Sequence, residues 1–152
     1  MNILFLDIDG VLNGIDYQMS ATEEPPLIDK SRLALLREIL EKRDIRVVLS
    51  SSWKKAWEPG CPFDCIFKAS GIWIHDKTPA LGRKCDEISA WLKCHPEVDR
   101  FVILDDADSG WGVLSPFVVV TDPINRRGLE REHIPHILEK LDLPIDDARK
   151  QM

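Results

Sequence analysis

The chain has 152 residues, the length of one ordinary domain, and its 44% hydrophobic and 30% charged residues form a globular mixture. A formal net charge of −6 argues against tight, nonspecific nucleic-acid binding through a broad basic face, although it leaves room for a local basic pocket. Because the sequence has no run of about 18 apolar residues and no signal-peptide layout at its amino terminus, we expect a cytoplasmic protein that does not span a membrane.

Strand and helix patterns alternate along the first third of the chain. Asn2–Leu6 is a short apolar run that ends in acid, which is typical of a buried strand. Residues 14–29 contain one glycine and two prolines, which predict a loop. Asp29 can cap a helix that begins near Lys30, and Ile45–Leu49 is a second predicted buried strand.

The alternation continues after a less regular segment. Residues 53–81 are irregular and aromatic, with one short strand expected near Ile66–Phe67. The later predicted elements are an amphipathic helix over Arg83–Cys94, strands over Phe101–Leu104 and Phe117–Val120, a helix over Ile134–Leu141 and a loose tail over Leu143–Met152. This order predicts an α/β, Rossmann-like three-layer sandwich with a mostly parallel sheet. We expect one domain over residues 1–142, followed by a tail over 143–152.

Three of the predicted strands end in residues that can carry chemistry. These are Asp7 with Asp9, the run Ser50–Ser52, and Asp105 with Asp106. In open parallel sheets, ligands bind beyond the carboxyl ends of the strands. We therefore expect these side chains to form one site.

Asp7 and Asp9 suit phosphoryl transfer. A carboxylate can attack phosphorus to give an aspartyl-phosphate, and a second carboxyl can protonate the leaving oxygen and then activate water. Gly10 allows the chain to turn away from the strand. The alternative is a capping or turn pair, since Asp and Gly are common after strands.

The pair Asp105–Asp106 would repel unless it were solvated or shared by a cation. Together with Asp7 it offers a hard, oxygen-rich site suited to Mg²⁺, which also binds substrate phosphate. The alternative is a solvated acidic turn over residues 105–108.

Polar and basic residues between the acids are further candidates. Ser51 can hold a phosphoryl oxygen, although a serine-rich turn is an equal alternative. Lys84, or its neighbour Arg83, begins a helix from which a cation can pair with Asp7 and the transferring phosphoryl group. The alternative is a surface charge on that helix, and the choice between the two neighbours stays open.

Aromatic and cationic residues just past the second strand can stack a base and hold a backbone phosphate. The candidate substrate-binding residues are Ser52, Trp53, Lys54 and Arg83, with Lys55 and Trp57 adjacent to them. Packing of the tryptophans in the core and rim, with solvated lysines, is the alternative.

The four cysteines are too few for a disulfide scaffold. Cys61 and Cys65, with His75 nearby, have a spacing that permits zinc binding. No second ligand pair follows them, which argues against a structural zinc site.

Taken in chain order, these motifs resemble the four motifs of the haloacid dehalogenase (HAD) superfamily. The segments that carry the resemblance are Leu6–Asn13, Leu49–Trp53 and Ile103–Asp106, and they are similar to the small HAD phosphatase domains of bacterial RNA-repair systems. The resemblance spans roughly residues 2–142. Val11 stands where the family usually has Thr, and the basic motif is the least distinct of the four.

The resemblance implies a HAD-like fold and Mg²⁺ as the cofactor. The implied roles are Asp7 as nucleophile and metal ligand, Asp9 as acid/base, Ser51 as phosphoryl contact, Lys84 as charge neutraliser, and Asp105 and Asp106 as metal ligands. We further predict that Asp9 reaches the metal through its backbone carbonyl. The intervals 13–50 and 53–83 are too short for a large cap domain, so the site is expected to be open.

An open site favours a large phosphorylated substrate, such as a nucleic-acid end, because the substrate itself can then exclude water. The sequence therefore predicts an Mg²⁺-dependent phosphatase. Two alternatives stay open: a catalytically weak interaction module on the same fold, and a small-molecule phosphatase acting on a nucleotide or sugar phosphate.

Overall fold

The computed structural model describes residues 1–14 and 28–152 of the chain. The strands are β1 (Asn2–Leu6), β2 (Ile45–Leu49), β3 (Ile74–Lys77), β4 (Arg100–Asp105) and β5 (Val118–Val120). The α-helices in these ranges are α1 (Lys30–Arg43), α2 (Pro62–Ala69), α3 (Lys84–Lys93), α4 (Ile134–Leu141) and α5 (Asp146–Gln151). Short 3₁₀ helices cover Ser52–Ala56, Gly112–Phe117 and Arg131–His133.

The five strands form one parallel sheet in the order β3-β2-β1-β4-β5. β1 lies at its centre, and its last four residues are fully buried, as expected for a strand covered on both faces. The predicted Rossmann-like α/β fold is therefore confirmed, with a sheet that is parallel throughout. No large cap domain is present in the described part of the chain.

Alternation along the strands sorts the core into two layers. Leu4 and Leu6 of β1 pack on the first face, with apolar residues of α1, α2 and α4. Ile3 and Phe5 pack on the second face, with residues of α3 and α5. Asp29 caps α1, as predicted, because its carboxylate accepts a hydrogen bond from the backbone of Ser31 at 2.9 Å.

The strand predicted near Ile66–Phe67 is wrong, because both residues lie in α2. Pro62 at the start of α2 suits the first turn of a helix, and Phe63 and Phe67, one turn apart, are both buried. The segment also contains β3, an edge strand with mostly polar residues. The predicted loop over 14–29 falls largely on residues 15–27, which lie outside the described residues.

The loose tail predicted for 143–152 is also wrong. This segment forms α5, which buries Ala148, and Ile145 just before the helix is buried as well. Arg149 donates hydrogen bonds to three backbone carbonyls in the segment from Leu92 to Val98. Across residues 1–14 and 28–152, no helix combines the length and the apolar character needed to cross a membrane.

Candidate active site

The carboxyl ends of β1, β2 and β4 meet at one edge of the sheet. The leucines near these three ends pair in register, so Ser50, Asp7 and Asp105, which follow them, lie side by side. Those leucines pack on the first face of the sheet. Alternation therefore directs the three polar side chains toward the second face, where α3 begins at Lys84.

Lys84 lies between two of the carboxylates. Its Nζ is 3.1 Å from Oδ1 of Asp7 and 2.7 Å from Oδ2 of Asp105. Both acids are buried, whereas the Lys84 side chain is one-third exposed. The neighbour Arg83 is exposed and lies 3.8 Å from Asp86 instead. The structure thus brings Lys84, and not Arg83, to the acids.

Asp106 completes a group of three carboxylates. One oxygen each from Asp7, Asp105 and Asp106 lie within 4.8 Å of one another. Gly10 permits this approach: its φ is +82°, and a Cβ at this position would lie 2.2 Å from Oδ2 of Asp106. Three hard oxygen donors in one group, with one lysine as partner, fit a divalent cation such as Mg²⁺.

The proximity of the acids changes their protonation. Burial, reinforced by the neighbouring Asp105, raises the pKa of Asp7 to about 7. Burial and Asp105 also raise the pKa of Asp106 above its ordinary value. Burial alone would lower the pKa of Lys84, but Asp7 and Asp105 outweigh it and raise that pKa. A cation among these carboxylates would favour their ionised forms.

Asp9 lies outside the group of three. Its side chain is exposed, and its two oxygens accept hydrogen bonds from Asn13 Nδ2 at 3.0 Å and from Trp53 Nε1 at 3.1 Å. The carboxylate of Asp9 is therefore not grouped with Asp7, Asp105 and Asp106. The separate prediction that Asp9 reaches a metal through its backbone carbonyl stays a prediction.

The Ser51 hydroxyl has a hydrogen-bond partner, whereas the Ser50 hydroxyl has none among the residues that the structure describes. The Ser51 hydroxyl accepts the backbone N–H of Trp53 at 3.2 Å and caps the 3₁₀ helix over Ser52–Ala56. The Ser50 hydroxyl is buried with no hydrogen-bond partner among the described residues. A buried, unpaired hydroxyl beside Asp7 is a better candidate for a phosphoryl contact than Ser51.

Two of the residues near the predicted substrate edge are buried and hydrogen-bonded within the fold. Lys54 is buried, and its Nζ donates to Glu87 at 2.7 Å, to Thr78 at 3.0 Å and to the Pro79 carbonyl at 3.2 Å. These contacts use all three ammonium hydrogens, which argues against the predicted role of Lys54 as a substrate ligand.

Trp57 is buried in the same way, and its Nε1 donates to Asp64 at 3.1 Å. Ser52 and Lys55 are exposed, and Trp53 is half-buried. Cys61 precedes α2 as its amino-terminal cap, and Cys65 lies within the helix with its Sγ donating to the Gly60 carbonyl at 3.5 Å.

Three residues at this edge have contacts to which the sequence analysis assigned no role. Asn13 contacts Asp9, and its Oδ1 also accepts the backbone N–H of Gly10 at 3.2 Å. The buried Thr121 donates its hydroxyl to the Gly10 carbonyl at 2.9 Å. Ser50 had a usable signal, since it is the first residue after β2, just as Asp7 is the first after β1.

A parallel α/β sheet with this order of acidic, hydroxyl and basic residues at its carboxyl edge defines a HAD-like domain. The sequence model of one family, described as the HAD domain in Swiss Army Knife RNA repair proteins, matches residues 3–134, and the chain belongs to this family. Membership supports a phosphatase-type hydrolase function. Comparisons with curated proteins and with solved structures found no match.

Proposed function

We propose that this protein is an Mg²⁺-dependent phosphatase that acts through an aspartyl-phosphate on Asp7, with a phosphorylated nucleic-acid end as its substrate. The observation that carries the proposal is the contact of Lys84 with both Asp7 and Asp105, beside Asp106, at the carboxyl edge of the sheet. A surface acidic turn has no need of a cation held between two buried carboxylates.

The reaction divides into two displacements. A carboxylate oxygen of Asp7 forms a bond to phosphorus while the bond from phosphorus to the leaving oxygen breaks. Asp9, as the acid, gives its proton to that oxygen, which departs as an alcohol. Asp9 then takes a proton from water as the water oxygen bonds to phosphorus. The bond from phosphorus to Asp7 breaks, which releases phosphate and restores the Asp7 carboxylate.

The charges at the edge need balancing, because the phosphate approaches a cluster of acids. Asp7 and Asp106 would hold Mg²⁺, with Asp105 close to both, and the ion would offset the repulsion between phosphate and carboxylates. Lys84, which contacts Asp7, neutralises part of its charge.

The form of the edge supports a large substrate. No cap domain covers it in the residues described, 1–14 and 28–152, so part of a larger substrate must exclude water from the reacting phosphate. The family description names RNA repair proteins, which agrees with a nucleic-acid end. The exposed Lys55, four residues beyond Ser51, is a candidate for a backbone phosphate.

We expect an oligonucleotide end phosphate to have a higher kcat/KM than the matching mononucleotide. One stacked base contributes about 1–3 kcal/mol, which corresponds to roughly 5- to 150-fold. Steady-state phosphate release with Mg²⁺, from 3′- and 5′-phosphorylated oligonucleotides and the mononucleotides, measures this preference. For the oligonucleotide reaction, log kcat/KM should fall with log salt concentration. Lys55→Ala should reduce this slope by about the amount that one phosphate contact contributes.

Lys42→Ala is the matched control, since this exposed lysine lies at the end of α1, near the opposite edge of the sheet. Hydrolysis of 4-nitrophenyl phosphate should be unchanged in both lysine variants. Equal kcat/KM for oligonucleotide and mononucleotide would end the proposal of a macromolecular substrate. Phosphate release from neither, with Mg²⁺ present, would refute the phosphatase itself.

Substitutions of the two serines at the end of β2 should affect different properties, activity for Ser50 and stability for Ser51. Ser50→Ala is expected to lower kcat/KM about 10-fold and to leave the melting temperature nearly unchanged, because its hydroxyl has no hydrogen-bond partner in the described part of the chain. Ser51→Ala is expected to lower stability by about 1 kcal/mol through loss of the cap, with a smaller effect on activity. If Ser51→Ala instead lost activity and Ser50→Ala lost stability, Ser51 would be the phosphoryl contact.

A further inference from the structure

The carboxylate of Asp9 is fixed at both oxygens although its side chain is exposed. Asn13 holds Oδ1 at 3.0 Å, and the indole N–H of Trp53 holds Oδ2 at 3.1 Å. An exposed aspartate with no partners would sample several rotamers. Two donors from different segments restrict it to one, at the turn that follows the nucleophile.

Trp53 is itself rigidly placed. Its backbone N–H donates to Ser51 Oγ at 3.2 Å, at the start of the 3₁₀ helix. Its ring meets Phe63 of α2 edge to face, with centroids 5.4 Å apart and an interplanar angle of 79°. Phe63 is buried in the first core layer, so the position of the indole is set by packing and not only by its contact with Asp9.

An indole N–H is only a donor, so Trp53 cannot exchange a proton in the reaction. Its contact with Asp9 can only orient the carboxylate. Orientation matters here because proton transfer requires the carboxyl group to lie within hydrogen-bond reach of the leaving oxygen.

We propose that Trp53 is a positioning residue, whose indole N–H orients the carboxylate of Asp9 for proton transfer to the leaving oxygen. This inference rests on the proposed phosphatase function and assigns Trp53 a role other than stacking a base. The position of Asp9 then depends on α2 as well, because Phe63 of α2 packs against the indole that holds the carboxylate.

The test compares two substrates that differ in their need for an acid. The leaving oxygen of a simple alkyl phosphate such as glycerol 2-phosphate must be protonated, whereas 4-nitrophenolate leaves without protonation. Trp53→Phe keeps an aromatic ring against Phe63 but removes the N–H that donates to Asp9. We expect kcat/KM to fall about 10-fold for the alkyl phosphate and to change less than about twofold for 4-nitrophenyl phosphate. Asp9→Ala should show the same selectivity with a larger loss.

Trp57→Phe is the matched control, because it also removes an indole N–H from a carboxylate, that of the buried Asp64. It should leave the ratio of the two kcat/KM values unchanged, even where its melting temperature falls. An independent readout is the indole N–H resonance of Trp53, identified by its absence in Trp53→Phe. Asp9→Ala should shift this resonance and leave the Trp57 resonance in place.

The outcomes separate the inference from the function on which it rests. Equal losses for both substrates in Trp53→Phe, or no loss, would overturn the positioning role while wild-type turnover upheld the phosphatase. A Trp53 resonance that does not respond to Asp9→Ala would overturn the contact, whatever the activity. A wild-type chain that hydrolyses neither substrate would overturn the proposed function and the positioning role together.

Discussion

Asp7→Asn is expected to lower kcat for phosphate release by about 10³-fold or more, because it removes the nucleophile and keeps the shape of the side chain. The measurement is steady-state release from 4-nitrophenyl phosphate with Mg²⁺, compared with the wild type at equal concentration. Circular dichroism and thermal unfolding should show an intact fold, since the amide has nearly the same shape as the buried carboxyl group that it replaces at the end of β1.

Asp108→Asn is the matched control for this variant. Asp108 is an exposed acid two residues beyond Asp106, and it lies outside the group of three carboxylates. The same chemical change there should leave kcat within about twofold of the wild type, as is usual for an exposed substitution away from special features. Wild-type turnover in Asp7→Asn would remove Asp7 from the reaction.

Although Asp7→Asn should abolish most of the activity, it should make the metal-free protein more stable than the wild type as pH rises. The ordinary pKa of Asp7 is 3.8, and burial with Asp105 raises it to about 7 in the folded chain. Below pH 3.8 the carboxyl group is neutral in both the folded and the unfolded chain, so the stability that comes from its raised pKa is fully present. Between pH 3.8 and 7 only the unfolded chain releases the proton, so the free energy of unfolding falls by about 1.4 kcal/mol per pH unit.

Between pH 5.5 and 7 this amounts to a loss on the order of 2 kcal/mol in the wild type. In Asp7→Asn that part of the slope should be missing, so the variant gains stability over the wild type as pH rises. Urea unfolding in the presence of EDTA at pH 5.5, 7 and 8 measures the difference. Parallel pH dependences in the two proteins would contradict the raised pKa of Asp7.

The parts of the fold that could be predicted from the sequence are those with a strong local pattern. β1 is an apolar run buried on both faces, and Asp29 gives α1 a clear start. β3 lacks such a pattern, because it is an edge strand with mostly polar residues and only one buried position. α5 was missed because its stability comes from contacts with distant carbonyls, not from its own short, polar sequence.

The same division applies to the site. The acids after β1 and β4 could be placed together, because the carboxyl ends of parallel strands meet at one edge. The burial of Lys54 and its ion pair could not be predicted. Its partner Glu87 lies 33 residues away in the sequence and is brought near only by the packing of α3. A lysine next to a tryptophan in the sequence gives no indication of whether its ammonium faces solvent or a buried carboxylate.

The choice between Lys84 and Arg83 leads to the second large effect. Lys84→Met is expected to lower kcat/KM by about 10²- to 10³-fold, because it removes a preorganised cation from the transferring phosphoryl group. It should also lower the free energy of unfolding of the metal-free protein at pH 8 by about 1–3 kcal/mol, since Asp7 and Asp105 lose the donor between them. Phosphate release and urea unfolding measure the two effects.

Arg83→Met is the internal control, as it changes the charge of the chain equally, one residue away. Its exposed guanidinium lies 3.8 Å from Asp86 on the surface, and such pairs contribute little. Turnover and stability should therefore stay close to those of the wild type. Loss of activity in Arg83→Met with retention in Lys84→Met would reverse the assignment. Equal, small losses in both would mean that charge near α3 acts only at long range, and raising the salt concentration would then abolish the effect of either substitution.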